Sequence, residues 1–102
     1  MAVTPGSIVP VVTTAAAAVI SNACKVHWIT ASNGHASEIT AVELNDSTDD
    51  SGTDRWACYL SDNAAGNNTV SMSFDPPIEF VNGIYLDLTN ATTVAVTIGI
   101  EG

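Results

Sequence analysis

The sequence predicts an all-β fold: a single antiparallel sandwich or barrel, jelly-roll-like, of seven to eight short strands. Three observations predict it. Val, Ile and Thr supply 31 of the 102 residues while Leu supplies four, and β-branched side chains suit the pleated surface of a sheet. Apolar and polar residues alternate with period two in one segment after another. Clusters of Asn, Asp, Gly and Ser separate these segments at short, regular intervals, as in sandwiches and barrels.

Residues 8–14 read as a strand, and Pro10 inside it marks an edge or an irregular lead-in. Residues 15–18 are four alanines, too few for a helix to stand alone, though their small side chains would let another chain approach closely. Residues 1–20 therefore form an N-terminal arm or lead-in strand, and residues 21–102 the sandwich domain. Residues 24–30 alternate, with Cys24, Val26, Trp28 and Thr30 on one face and Lys25, His27 and Ile29 on the other. Asn33-Gly34 signals a turn. The next strand, from Glu38 to Leu44, turns Val42 and Leu44 inward and Glu43 outward. A polar, Asp-rich loop at 45–54 leads into a strand with Trp56, Cys58 and Leu60 on one face. Residues 69–74 put Val70, Met72 and Phe74 inward. Asp75-Pro76-Pro77 breaks that strand, leaving a short extended piece at 78–81 before the Asn82-Gly83 turn. Ile84, Leu86 and Leu88 line the next strand, and Val94, Val96, Ile98 and Ile100 the last.

Eleven acidic residues against two basic ones give a net charge of -9. Lys25 and Arg55 cannot neutralise several phosphates, which argues against a nucleic-acid partner. No apolar run reaches the length of a membrane span. The start of the chain has no positive region before its apolar stretch and makes a poor signal peptide, which points to cytoplasmic synthesis. Sequons at Asn45, Asn67 and Asn90 then read as turn chemistry. Cys24 and Cys58 fit no zinc or redox spacing. They read as buried thiols on neighbouring strands, able to pair only if their Cα atoms come within about 7 Å.

Few residues offer chemistry. Asp46, Asp49, Asp50 and Asp54 crowd oxygen ligands into one loop and are the candidate cation ligands. The spacing is not that of an EF-hand, and the plainer reading is a hairpin loop whose Asp and Ser residues cap their own backbone. His27 faces away from Cys24 along its strand, so a zinc cluster is not expected. No nucleophile elbow or glycine-rich phosphate loop occurs. The chain is not expected to be an enzyme or to carry a cofactor. Trp28, Trp56, Phe74 and Phe80 read as core; Tyr59 and Tyr85 face outward, as interface anchors or as plainly exposed side chains.

The stretch Phe74-Asp75-Pro76-Pro77-Ile78-Glu79-Phe80-Val81-Asn82-Gly83-Ile84-Tyr85-Leu86-Asp87-Leu88, followed by a Val-rich last strand at 94–98, resembles small proteins encoded in the structural modules of tailed phages. Residues 38–46 with the Asp-rich loop look like the middle of the same pattern, so the resemblance spans roughly residues 23–100. It implies a capsid decoration, or cement, protein: β-rich, commonly trimeric, without catalytic residues, seated on the outer capsid surface of a virion against the major capsid protein. Arms of such proteins extend over the shell. The resemblance thus makes the segment 2–18 the candidate adhesive, removable without unfolding the β-core. Val3, Pro5, Ile8, Val9, Val11 and Val12, with Tyr59 and Tyr85, are then the candidate capsid or subunit contacts. A net charge of -9 suits a place outside the shell better than one against packaged DNA. The competing expectation is a small sandwich that binds carbohydrate or a host surface, calcium-assisted through the loop.

Overall fold

Alternating β-branched segments can bury one face each, and here they do so in two layers. The computed structural model describes residues 7–90 and 93–102, and every regular element within them is a β-strand. The strands are β1 (Ile8–Thr13), β2 (Ala17–Ile20), β3 (Cys24–Asn33), β4 (Thr40–Asp46), β5 (Thr53–Leu60), β6 (Thr69–Phe80), β7 (Ile84–Leu88) and β8 (Val94–Glu101). One sheet has the order β1-β8-β3-β6 and the other β2-β7-β4-β5, with all neighbours antiparallel. The first strand pairs with the last, the second with the seventh, the third with the sixth and the fourth with the fifth. This is one long hairpin rolled into a sandwich, the strand order of a jelly roll.

The core lies between the sheets. Val94, Val96, Ile98 and Ile100 of β8 are buried, as are Val42 and Leu44 of β4 and Ile84, Leu86 and Leu88 of β7. Each such side chain contributes about 1.5–3 kcal/mol of burial. Phe80 is buried, and Trp56 and Phe74 pack edge-to-face against each other, centroids 6.2 Å apart, at the margin.

The structure departs from the sequence expectations at four places. Of the two expectations for the start of the chain, arm or lead-in strand, residues 8–20 follow the second: β1 pairs along its length with β8, and β2 pairs with β7. Val11 is 7% exposed and belongs to the core, so it is no surface contact; removing 2–18 would delete edge strand β1 and the first two residues of edge strand β2. Val3 and Pro5 lie outside the described residues.

In β3, the registers with β8 and β6 both slip between Val26 and Trp28. His27 is the extra residue of a β-bulge, and a bulge inverts the parity beyond it. Ile29 and Ala31 therefore enter the core, while Trp28 and Thr30 turn outward.

Asn33-Gly34 makes no tight hairpin, because β3 and β4 sit in different sheets. Asn33 is fully buried instead. Its Nδ2 donates to the carbonyls of Glu38 (2.8 Å) and Ser61 (3.2 Å), and its Oδ1 accepts from the His35 amide (3.0 Å). His35 Nδ1 in turn accepts from the amides of Ser37 and Glu38, capping the crossover.

Finally, Pro76-Pro77 does not end β6. The strand continues to Phe80, with its register against β3 jumping from Ser73 to Ile78. An edge strand tolerates proline because its outward N–H groups have no partner to lose. Gly83 does turn the chain, at φ +121°, where a Cβ would strike the Ile20 carbonyl.

Candidate functional site

Sheet parity assigns the outer-face residues, and the two outer faces differ in charge. On the first sheet, β1 presents exposed Ile8, Pro10 and Val12, the last 66% exposed. Beside them stand Gly99, Thr97 and Ala95 of β8, then Trp28, Thr30 and Ser32 of β3, then Ser73, Ser71 and Thr69 of β6. None of these is charged. Thr30, Ser32, Thr69, Ser71, Ala95 and Thr97 line a shallow groove of about 350 Å³. Charge is confined to one end of the face. There Lys25 lies in register between Glu79 and Glu101, and His27 Nε2 is 2.6 Å from Glu101 Oε1.

The outer face of the second sheet is acidic. Glu43 stands directly opposite Asp87, and like charges in that position repel. A hydrogen bond with Asp54 raises the Glu43 pKa above the ordinary value. Desolvation and the charges of Asp54 and Asp87 push it the same way. Asn45 Nδ2 donates to Asp54 Oδ1. Asn45 is itself 3% exposed within β4, so this sequon lies in a strand and not in a turn.

The candidate cation ligands do not converge. Asp49 Oδ1 accepts from Ser47 Oγ (3.1 Å), the Ser51 amide (2.9 Å) and Ser51 Oγ. These bonds, those from Ser51 foremost, hold its carboxyl below the ordinary value. Asp46 Oδ1 accepts from the Asn82 amide at 2.8 Å, tying the β4–β5 loop to the β6–β7 turn. Asp50 is exposed, and Asp54 engages Asn45. Among the described residues no three His, Cys, Asp or Glu side chains gather in a way that could hold a metal ion.

Tyr59 is 80% exposed on β5, whereas Tyr85 is half-buried on β7. Their β4 neighbours are Ala41 and Asn45 respectively. Four residues of strand, about 13 Å, therefore separate them along the sheet, and they form no common stacking platform.

The cysteines are free and lie in opposite sheets, not on neighbouring strands. Burial, with a smaller push from Asp46, raises the Cys24 thiol to about 11, and burial also raises Cys58. Both thiols stay protonated near neutrality and are poor nucleophiles.

Of the uncharged outer face of the first sheet, only Ile8 and Val12 on β1 are legible as surface contacts in the sequence. Its signal was present in the hydroxyl and Ala residues that alternate with the β8 core series. The bulge at His27 hid the continuation into β3. Compared with protein families, with curated proteins and with solved structures, the chain matches none.

Proposed function

We propose that this chain is a structural virion protein that decorates and stabilises a phage capsid, bound to the major capsid protein on the outer surface of the shell, without catalytic activity. The jelly-roll strand order carries the reading. That architecture serves viral capsid and lectin domains alike. A fold alone does not choose between them, and the surface favours the first. Protein docking suits a flat face that removes little charge from water. Here that is the uncharged stretch of the outer side of the β1-β8-β3-β6 sheet, with Val12 at its rim and Lys25, Glu79 and Glu101 confined to one end. Sugar stacking suits aromatic platforms, and Tyr59 and Tyr85 stand apart. In the proposed orientation the uncharged face meets the shell and the face bearing Glu43, Asp54 and Asp87 looks to solvent.

Quantitative mass spectrometry of purified virions tests the proposal. A copy number comparable to that of the major capsid protein is expected. Absence, or a few copies per particle, refutes it.

A further inference from the structure

Two Asn-Gly pairs occur in the chain, Asn33-Gly34 and Asn82-Gly83, and every other asparagine is followed by a residue that carries a side chain. Asparagine is a thermolabile residue, and a following glycine makes it most so. Glycine has no Cβ to keep its own nitrogen away from the preceding side chain. The reaction needs that side chain free to swing back onto the backbone. The structure treats the two pairs oppositely.

Asn33 is locked. It is fully buried, its amide group makes three hydrogen bonds, and the Gly34 amide donates to the Thr93 carbonyl at 2.9 Å. Asn82 is exposed in the β6–β7 turn, and among the described residues its side chain makes no hydrogen bond. Only its backbone is held, by the bond from its amide to Asp46 Oδ1 at 2.8 Å. The fold also fixes the second member of this pair. Gly83 has a φ of +121°, and a Cβ there would strike the Ile20 carbonyl oxygen. The contact that demands glycine thereby keeps the reactive pair at the turn.

We propose that Asn82 is a site of spontaneous deamidation in the folded chain and that Asn33 is not. The Gly83 backbone nitrogen gives up its proton to solvent base and attacks Cγ of Asn82. The new N–Cγ bond closes a cyclic succinimide. The Cγ–Nδ2 bond breaks, and the amide nitrogen leaves as ammonia with a proton returned by solvent. Water then opens the ring. Breaking the N–Cγ bond gives aspartate on an unaltered backbone. Breaking the bond from nitrogen to the backbone carbonyl carbon gives isoaspartate, whose main chain runs through Cγ and is longer by a carbon. Either product puts a carboxylate at position 82, beside the Asp46 carboxylate that holds the residue's amide, in a chain already at -9. Like charges repel at that range, so the tie between the β4–β5 loop and the β6–β7 turn weakens as the molecule ages.

The full folded chain is incubated at mildly alkaline pH, and its peptides are followed by mass spectrometry. Position 82 should convert to a mixture of aspartate and isoaspartate, at least about tenfold faster than Asn33, whose reaction waits on local opening of the fold. In urea the two pairs should convert at comparable rates, since the fold no longer separates them. Asn82→Ser should remove the acidic species that ion exchange resolves from aged wild-type chain. The converted wild-type chain should melt below the fresh one. Asn33 converting in the folded chain as fast as Asn82 overturns the proposal. So does Asn82 that persists in the folded chain while it converts in urea, or an acidic species undiminished in Asn82→Ser. Aspartate without isoaspartate overturns the cyclic route, and a converted chain that melts with the fresh one overturns the weakened tie.

Discussion

Gly99 lies on β8 between Pro10 of β1 and Trp28 of β3, buried beneath the Trp28 indole. A Cβ built at position 99 comes 2.7 Å from Trp28 Cδ1, and closer still to Cε2 and Nε1. Carbon atoms prefer about 3.5–4.0 Å, so the indole must move by roughly 1 Å or more. Two effects compete in Gly99→Ala. Removing a glycine from a strand interior gains about 0.5–1 kcal/mol. Forcing a packed ring off its rotamer costs about 1–3 kcal/mol. The clash wins, with a net loss of roughly 1 kcal/mol, equivalent to about 4–8 °C in Tm for a domain of this size. Urea unfolding followed by far-ultraviolet circular dichroism reads the loss. In a Trp28→Leu background the ring is gone, and the same substitution should be neutral or stabilising. A Gly99→Ala chain as stable as wild type would refute the reasoning, and so would a penalty that persists without the indole.

Asn33→Ala removes a fully buried amide that makes three hydrogen bonds, and about 2–3 kcal/mol of stability should go with it in denaturant unfolding. Glu43 binds its proton more tightly in the folded chain than in the unfolded one. Its contribution to stability is therefore full below the ordinary glutamate value of about 4.3 and is lost as pH rises through the higher folded value. Glu43→Gln should accordingly melt higher than wild type at pH 7, by up to about 1 kcal/mol, with the difference disappearing at pH 3; equal melting at pH 7 argues against the repulsion. Cys24 should resist a thiol reagent at pH 8 until the chain unfolds, with Cys58 reacting slowly, as timed by mass spectrometry. Val12→Glu puts a charge on the face proposed to meet the shell; it should weaken binding to undecorated capsids by about tenfold or more without lowering Tm, since Val12 is 66% exposed.

The strands were legible because each segment that buries one face announces it with period two. β7 and β8 came out with their inner faces as expected, and so did Val42 and Leu44 of β4 and Leu60 of β5. Non-local pairing decided what was not legible. A bulge adds one residue on one strand only, so nothing near Val26 or Trp28 in the sequence marks the inversion; it exists because β8 and β6 pair on either side. Pro76-Pro77 looks like a terminator unless β6 is known to be an edge. Asn33-Gly34 looks like a hairpin unless β3 and β4 are known to part company. The cation candidates failed for a local reason. Ser47 and Ser51 stand close enough to Asp49 to take its lone pairs themselves.

Jelly-roll topology also explains how one short chain can carry two outer faces of opposite character. Because the first strand pairs with the last and the third with the sixth, one sheet collects segments from both termini and the middle. Its outer positions are read from every second residue, independently of the core positions between them. Away from the Lys25, Glu79 and Glu101 end, those positions on the first sheet hold Thr97, Ala95, Thr30, Ser32, Thr69 and Ser71; on the second they include Glu43, Asp54 and Asp87. Hydroxyls keep the first face hydrated in the free chain, yet removing them from water costs far less than removing carboxylates. The acids that keep a chain at -9 from aggregating therefore need not stand where a partner docks. That division of labour fits the decoration role proposed above, in which one face docks and the other keeps its carboxylates in water.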